Sequence, residues 1–406
     1  MKLHHILLAA LCCAGLTAQA QGLTFTRNKV LLEKYTGINC GWCPSGDRAV
    51  QSYLNRHPEH RDVMVEMRHN AYTTPDRLTV PLHKTLDAVW RPNGYPKYYM
   101  DRCSVNGQRS TKAIDYAISW DEFESAAFDP VAKRLAVPTH VSISLEGSKY
   151  NPATRELTIY AHGDVTADLP NLCINVFIVQ DIDGYENTSR ASMTDDLNGD
   201  RLNVFDGQYK VAYTTTLPDK YVNCATVPAD MKVIAFVASR FDTDAQGNND
   251  FTCSEVHNAE CVSITSLPTT ATIPDKCAAP TVSIANGKVV FECSEPGASF
   301  AYTVEPVETQ TTSTTVSPKG DDSPAFIIKA SAGTATTFPS DAVSQRFTLA
   351  DILSVNDVVG IDLPTAGTDA AAGTVYTLSG QRMPKGGGTR LTIPGIYIVG
   401  GKKIVN

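Results

Sequence analysis

Apolar residues change their period several times within the first third of the chain. KVLLEKYT at 29–36 is a short apolar run with the length of a buried strand. Two cysteines follow, and then PSGDRAVQSYLNRHP, where Ala49, Val50, Tyr53 and Leu54 recur at helical spacing. Pro44 suits a first helical turn, and Pro58 marks the stop. DVMVEMR at 62–68 returns to a strand pattern. Strand, helix and strand in this order predict an α/β unit with parallel pairing. A loop-and-helix section, NGYPKYYMDR at 93–102 and a helical stretch from about 112 to 128 complete a first domain expected at 21–130.

From about 135 the pattern alternates. VSISLEGSKYNPATRELTIYAHG turns at Asn151-Pro152, and LCINVFIVQD and MKVIAFVASRFD are two further strands, so residues 135–275 are expected to form a β-sandwich. A small β domain is expected at 277–350, where Asn286-Gly287 between two apolar runs signals a hairpin. Cys277 and Cys293 then fall on adjacent strands, slightly out of register, which permits a bridge. A polar loop at 311–324 and a Gly/Ala-rich linker near 365–373 separate further β segments, the last lying in a linker-and-tail domain at 355–406. The fold class is α+β and multidomain, an α/β domain followed by β-sandwich modules.

Composition narrows the setting. MKLHHILLAALCCAGLTAQA, residues 1–20, has a polar start, an apolar centre and a small-residue cleavage pattern, as an export signal does. Cleavage after Ala20 would remove Cys12 and Cys13, leaving nine of the 11 cysteines, an odd number. Most of these should pair in an oxidising compartment, with Cys103 the candidate for the unpaired thiol. No later stretch is apolar for long enough to span a membrane as a helix. Net charge is −8, with Lys and Arg scattered rather than clustered, which argues against nucleic-acid binding.

The closely spaced pair, Cys40-Gly41-Trp42-Cys43, admits several chemistries. A structural zinc site needs four soft ligands, and no second C-x-x-C is present. Haem attachment requires histidine after the second cysteine, where Pro44 stands. No metal and no cofactor is therefore assigned. Redox chemistry fits a pair that opens a helix, because the positive helix end stabilises a thiolate. Cys40 would attack and Cys43 would resolve, with Asp47 in the first turn opposing the thiolate and Arg48 offsetting it. An inert disulfide explains the same residues in an exported protein. His69 ends the next strand and is expected at the surface, with the thiols as an alternative neighbour. Asp242–Gly247 and Asp196–Asp200 hint at calcium loops, but each lacks a required position, so polar hairpin loops are expected.

Together with Gly94-Tyr95-Pro96 before KYYMDR, the pair resembles the thioredoxin-like superfamily. That resemblance implies a cis-proline at Pro96 that presents backbone to a substrate, with Tyr95 before it suited to the cis form. It also places Glu33 within one residue of a buried, proton-shuttling carboxylate, with a solvated or ion-paired glutamate as the alternative. V-L-L-E-K-Y-T-G-x-x-C-x-x-C-P, M-V-E-M-R, G-Y-P-x-x-x-x-D-R and the following β segments resemble the twenty-eight-kilodalton outer-membrane-protein-related family of Bacteroidota over about residues 22–265. This implies a thioredoxin-like domain, a β domain and an envelope or surface location, without an established enzyme. Asn39 replaces a tryptophan common in redox relatives, and Gly41-Trp42 replaces Gly-Pro. VYTLSGQRM and IPGIYIVGGKKIVN resemble the C-terminal sorting domain of type nine secretion, which implies recognition by the outer-membrane translocon.

Two functions follow as alternatives. One is thiol–disulfide exchange with envelope or surface proteins through Cys40, Cys43 and Pro96, supported by Glu33, Trp42 and Tyr95. The other is surface binding or adhesion, with Cys40-Cys43 as a fixed staple.

Overall fold

The computed structural model describes residues 23–90, 92–169, 171–243, 248–285, 288–307, 325–334, 336–348, 375–377, 396–399 and 402–405. The expected export signal, the expected turn at 286–287, the polar loop at 311–324 and the linker near 365–373 lie outside the described residues. The architecture is mostly β, with few helices and several sheets.

Contacts divide the chain into two units. The first comprises Met1–Thr281, Glu292–Thr303 and Lys329–Val343. Its strands, in chain order, begin with β1 (Val30–Thr36), β2 (Met64–Asn70), β3 (Lys97–Met100) and β4 (Ile118–Ser119). Next come β5 (Lys149–Asn151), β6 (Glu156–Asp164), β7 (Leu172–Ile182), β8 (Tyr185–Ser192), β9 (Asp200–Arg201) and β10 (Gln208–Thr216). The last are two short ribbons, β11 (Lys220–Tyr221) with β12 (Cys224–Ala225) and β14 (Asp242–Thr243) with β15 (Asn249–Asp250), around and after β13 (Met231–Ser239), and finally β16 (Glu255–Ser263).

One sheet runs β16-β13-β7-β8-β2-β1-β3-β4. β1 and β2 are parallel, with Val30 opposite Met64 and Thr36 opposite Asn70, as the strand–helix–strand pattern predicts. β3 is antiparallel to β1, with Leu32 opposite Met100. The sheet continues across the boundary expected at 130–135, because β8 pairs in parallel with β2 at Arg68 and Thr188. An exposed edge on β2 would leave a row of backbone donors and acceptors unpaired, and β8 covers it.

Three helices pack on this frame: α1 (Cys43–Arg56), α2 (Pro81–Trp90) and α3 (Pro130–Leu135). Side chains alternate across β1, so Val30 and Leu32 meet Ala49, Val50, Tyr53 and Leu54 of α1 on one face. Leu31 and Tyr35 lie on the other, in a core that contains Leu86 and Trp90 of α2 and also Phe177 of β7 and Phe236 of β13. The opposite faces of β7 and β13, carrying Ile174, Val176, Val233 and Ala235, share a core with Leu157, Ile159 and Tyr209 of the β10-β6-β5 sheet. This is the sandwich-like part of the unit.

The helix expected at 112–128 is instead two 3-10 turns, Ala113–Tyr116 and Trp120–Glu124, separated by β4. Ile118 pairs with Tyr98 at the sheet edge, and Ser119 with Glu122 forms a capping box that starts a new turn there.

After Thr281, strands Thr281–Ala285 and Lys288–Glu292 pair on either side of the expected Asn-Gly turn. Ser299–Val307, Ala325–Gly333 and Val343–Thr348 form a three-stranded sheet in that order. In the tail, Val375–Thr377, Ile396–Val399 and Lys402–Val405 pair antiparallel in sequence order.

A core that mixes early and late strands should unfold as one. Phe236→Ala is expected to cost about 3–5 kcal/mol, and urea unfolding followed by tryptophan fluorescence and by far-ultraviolet circular dichroism should shift by the same amount. Separate transitions would show that the early α/β elements are held independently of β13.

Candidate functional site

Cys40 and Cys43 are joined by a disulfide, their Cα atoms 5.4 Å apart. Cys43 is the first residue of α1, and Pro44 occupies the first turn where a missing N–H costs nothing. Trp42 stands at the N-cap without a side-chain cap, so no side chain competes for the helix end nearest the sulfurs. Both cysteines are buried, Cys40 at 3% exposure and Cys43 at 1%. Asn39, Gly41 and Trp42 beside them are exposed.

The loop expected to face the pair does so. The Tyr95-Pro96 peptide bond is cis, and the Tyr95 carbonyl oxygen lies 3.7 Å from Cys40 Sγ. The Tyr95 hydroxyl donates to Asp87 Oδ1 at 2.5 Å, which ties the loop to α2. On the helix side the fit depends on Gly46. A Cβ there would fall 2.5 Å from Pro96 Cγ and 2.6 Å from the Tyr98 hydroxyl, so a larger residue would push the proline loop away. Trp42, 67% exposed, stacks against Trp120 with ring centroids 6.4 Å apart, forming an aromatic shelf beside the disulfide. The structure thus brings together Cys40, Cys43, Trp42, Tyr95 and Pro96.

Glu33 stands apart from them, on the face of β1 turned away from α1. Its carboxylate accepts from Arg102 Nε at 2.7 Å and Arg102 Nη2 at 2.9 Å. His69 Nε2 lies 3.3 Å away. Burial alone would raise this carboxyl's pKa, but the Arg102 charge and hydrogen bonds outweigh it and hold it at about 2. His69 is fully buried rather than exposed, with Nδ1 2.8 Å from Ser189 Oγ, because β8 covers the strand it ends.

The charged group on the α1 face is Lys34, paired with Asp47 of α1 and 3.4 Å from Glu66. Burial lowers its pKa, opposed by Glu66. The first turn of α1 carries no acidic residue. Asp47, expected there against the thiolate, is taken up by Lys34 and lies 3.5 Å from Arg68. Arg48 donates to Ser45 Oγ at 3.0 Å rather than offsetting Asp47.

Widespread pairing of the other cysteines is not found. Cys103, Cys173, Cys224, Cys253, Cys261, Cys277 and Cys293 are all free thiols. The sulfurs of Cys277 and Cys293 approach to 3.8 Å without a bond. Burial pushes the Cys103 thiol up to about 12 and those of Cys173 and Cys261 to about 11, which keeps them protonated and unreactive. In the loop at 196–200, Asp200 accepts from the backbone N–H of Asp196 at 3.0 Å, and Asp196 pairs with Arg240 at 2.6 Å, so these carboxylates serve the loop itself. The Asp242–Gly247 candidate falls largely on 244–247, outside the described residues.

Sequence reasoning missed Trp120 and Gly46. Trp120 reaches Trp42 only through tertiary structure, whereas a glycine inside a helical pattern is itself a signal of close packing.

No family model matches the chain, and no curated protein matches it. Among solved structures the chain is similar to HBP35 of Porphyromonas gingivalis, at 17% identity and a TM-score of 0.49, covering 80% of this chain and 100% of that one. A protein from Agrobacterium tumefaciens is similar at 15% identity and a TM-score of 0.30, over 61% of this chain and 98% of that one. At these scores neither likeness carries a fold or a function across. Among the described residues no helix is long and apolar enough to cross a membrane.

The Glu33–Arg102 pair has a pH signature. The folded carboxyl sits at about 2 against an ordinary 4.5, so the pair stabilises the fold above pH 4.5 and that contribution drains away as pH falls toward 2. Glu33→Gln leaves Arg102 buried without its counter-charge and should cost about 3–5 kcal/mol at pH 7. Its stability should also fall less steeply than wild type below pH 4.5 in acid denaturation curves. Parallel curves would assign the acid sensitivity to other carboxyls.

Proposed function

We propose that the chain is an exported thiol–disulfide exchange protein of the cell envelope or surface, with a thioredoxin-like unit formed around β1, α1, β2 and β3. The observation that carries this reading is the Tyr95 carbonyl oxygen, in the loop before Pro96, 3.7 Å from Cys40 Sγ. A peptide laid beside that loop would bring its own sulfur to Cys40, the cysteine that faces the Tyr95 carbonyl. The Trp42–Trp120 shelf offers an apolar rest for its neighbouring residues.

In the reducing direction, the Cys40 thiolate attacks one sulfur of a substrate disulfide, and the other substrate sulfur leaves as a thiolate. The Cys43 thiolate then attacks Cys40 Sγ in the mixed disulfide and releases the second substrate thiolate. Two electrons pass to the substrate, and the Cys40–Cys43 disulfide is formed. The positive end of α1 favours the thiolate state of the pair. With Asp47 neutralised by Lys34, the nearest carboxylate on the helix does not oppose it. The carboxylate of Glu33 is committed to Arg102, so it is not free to act as the proton shuttle that the thioredoxin-like resemblance implies.

The partners in this reading are envelope or surface polypeptides, with the C-terminal tail serving as the address for an outer-membrane translocon. The near-complete burial of both sulfurs supports a second reading, a surface binding protein that keeps the disulfide as a staple.

Trapping separates the two. Cys43→Ser should accumulate a mixed disulfide with a disulfide-bonded reporter peptide, seen on non-reducing gels and lost in the Cys40→Ser/Cys43→Ser double variant. A Cys43→Ser protein that traps no peptide supports the staple.

A further inference from the structure

Away from the disulfide, the far end of α1 gathers a different set of side chains. HPEH at 57–60 follows α1 directly, with His57 at the end of α1 and Pro58–Asp62 forming a 3-10 turn. Residues three apart eclipse one another in a 3-10 turn. The two imidazoles accordingly stack, with centroids 5.1 Å apart and planes 8° from parallel. Asp129, the N-cap of α3, projects its carboxylate toward both.

We propose that His57, His60 and Asp129, with Glu59 as a fourth ligand, bind a divalent transition ion of zinc's class.

Donor spacing is the first argument. The ligand atoms of His57, His60 and Asp129 all lie within 4.8 Å of one another. Asp129 Oδ2 is 3.6 Å from His57 Nδ1, while Asp129 Oδ1 and the Tyr53 hydroxyl lie 3.7 and 2.8 Å from His60 Nδ1, which leaves Nε2 as the His60 donor. Glu59 Oε1 is 3.5 Å from His57 Nδ1 and 3.9 Å from His60 Nε2. Ligands about 2.1 Å from a tetrahedral ion stand about 3.4 Å apart, so the three clustered side chains need small movements, and Glu59, outside that cluster and exposed, swings in to complete the shell.

Ligand chemistry is the second. Two imidazoles with two carboxylates suit zinc or a neighbouring first-row ion better than calcium or magnesium, which prefer all-oxygen shells.

The third is an existing outer shell. Tyr53, fully buried, donates its hydroxyl to Asp129 Oδ1 at 2.7 Å and sits 2.8 Å from His60 Nδ1. One phenol thus orients both a carboxylate and an imidazole, as second-shell groups do at metal sites. An ion bound here would clip the end of α1 to the start of α3.

The test uses the full chain. Zn²⁺ added after EDTA treatment should raise Tm by at least about 2 °C. Asp129→Asn keeps a good helix cap while removing a charged ligand. It and His57→Gln should each weaken Zn²⁺ binding, read by titration calorimetry, at least about tenfold. Co²⁺ in place of Zn²⁺ should give d–d absorption without a thiolate charge-transfer band, which excludes binding at the free cysteines. Equal Zn²⁺ binding by wild type and both variants, or a wild-type Tm unmoved by Zn²⁺, would overturn the proposal and leave the cluster as hydrogen-bonded ion pairs only.

Discussion

Arg102 is a buried guanidinium, and its charge is answered by Glu33. The side chain lies over the ring of Trp90 at 4.9 Å and of Phe236 at 4.7 Å while its Nε and Nη2 grip the Glu33 carboxylate. β1, α2 and β13 therefore meet at one side chain, though they come from widely separated stretches of the sequence. Removing one partner would strand the other as a bare charge in an apolar core, a far larger penalty than the pair's net gain. Asp101, next to it and also fully buried, accepts from the backbone N–H of Leu31 at 2.8 Å and from Arg134 Nε at 2.9 Å. Both residues hold left-handed backbone, φ 49° and 53°, a conformation that costs a non-glycine residue about 1–3 kcal/mol unless its surroundings impose it. These two ionic anchors do so.

The disulfide site inherits its geometry from that arrangement. β1 is fixed by Glu33 on one face, and its next residue, Lys34, reaches α1 on the other through Asp47. β3 lies between Pro96 and Asp101 along the opposite edge of β1, so anchoring Asp101 also sets the distance from the proline loop to Cys40. Gly46 lets α1 come close enough for the two to meet. The disulfide is thus carried by rigid elements, while Trp42 beside it remains at the surface.

Local periodicity made β1, α1 and β2 legible, because each buries one stripe of its own residues. The parallel pairing of β1 with β2 and the placing of Pro96 opposite Cys40 were also within reach. What the pattern could not carry was partnership between distant segments. Nothing in MVEMRHN says that YENTSRAS will pair beside it, so the sheet's passage across residues 130–135 was invisible. His69 looked like a surface residue for the same reason. Asp47 was misplaced because one helical turn decides whether a carboxylate faces a sulfur or a lysine, and a count along the sequence is too coarse for that. The cysteine arithmetic failed differently: compartment reasoning counts thiols, whereas only Cys277 and Cys293 are seen to bring their sulfurs close among the described free cysteines, and they approach without a bond.

The central claim is that the Cys40–Cys43 bond exchanges. Its reduction potential measures this most directly, by equilibrating the chain in thiol–disulfide buffers and quantifying the alkylated peptide that contains both residues. An exchanging pair is predicted to lie above about −300 mV, within reach of biological dithiols. A value below that, with no reduction by such dithiols, would mark a structural staple and contradict the account.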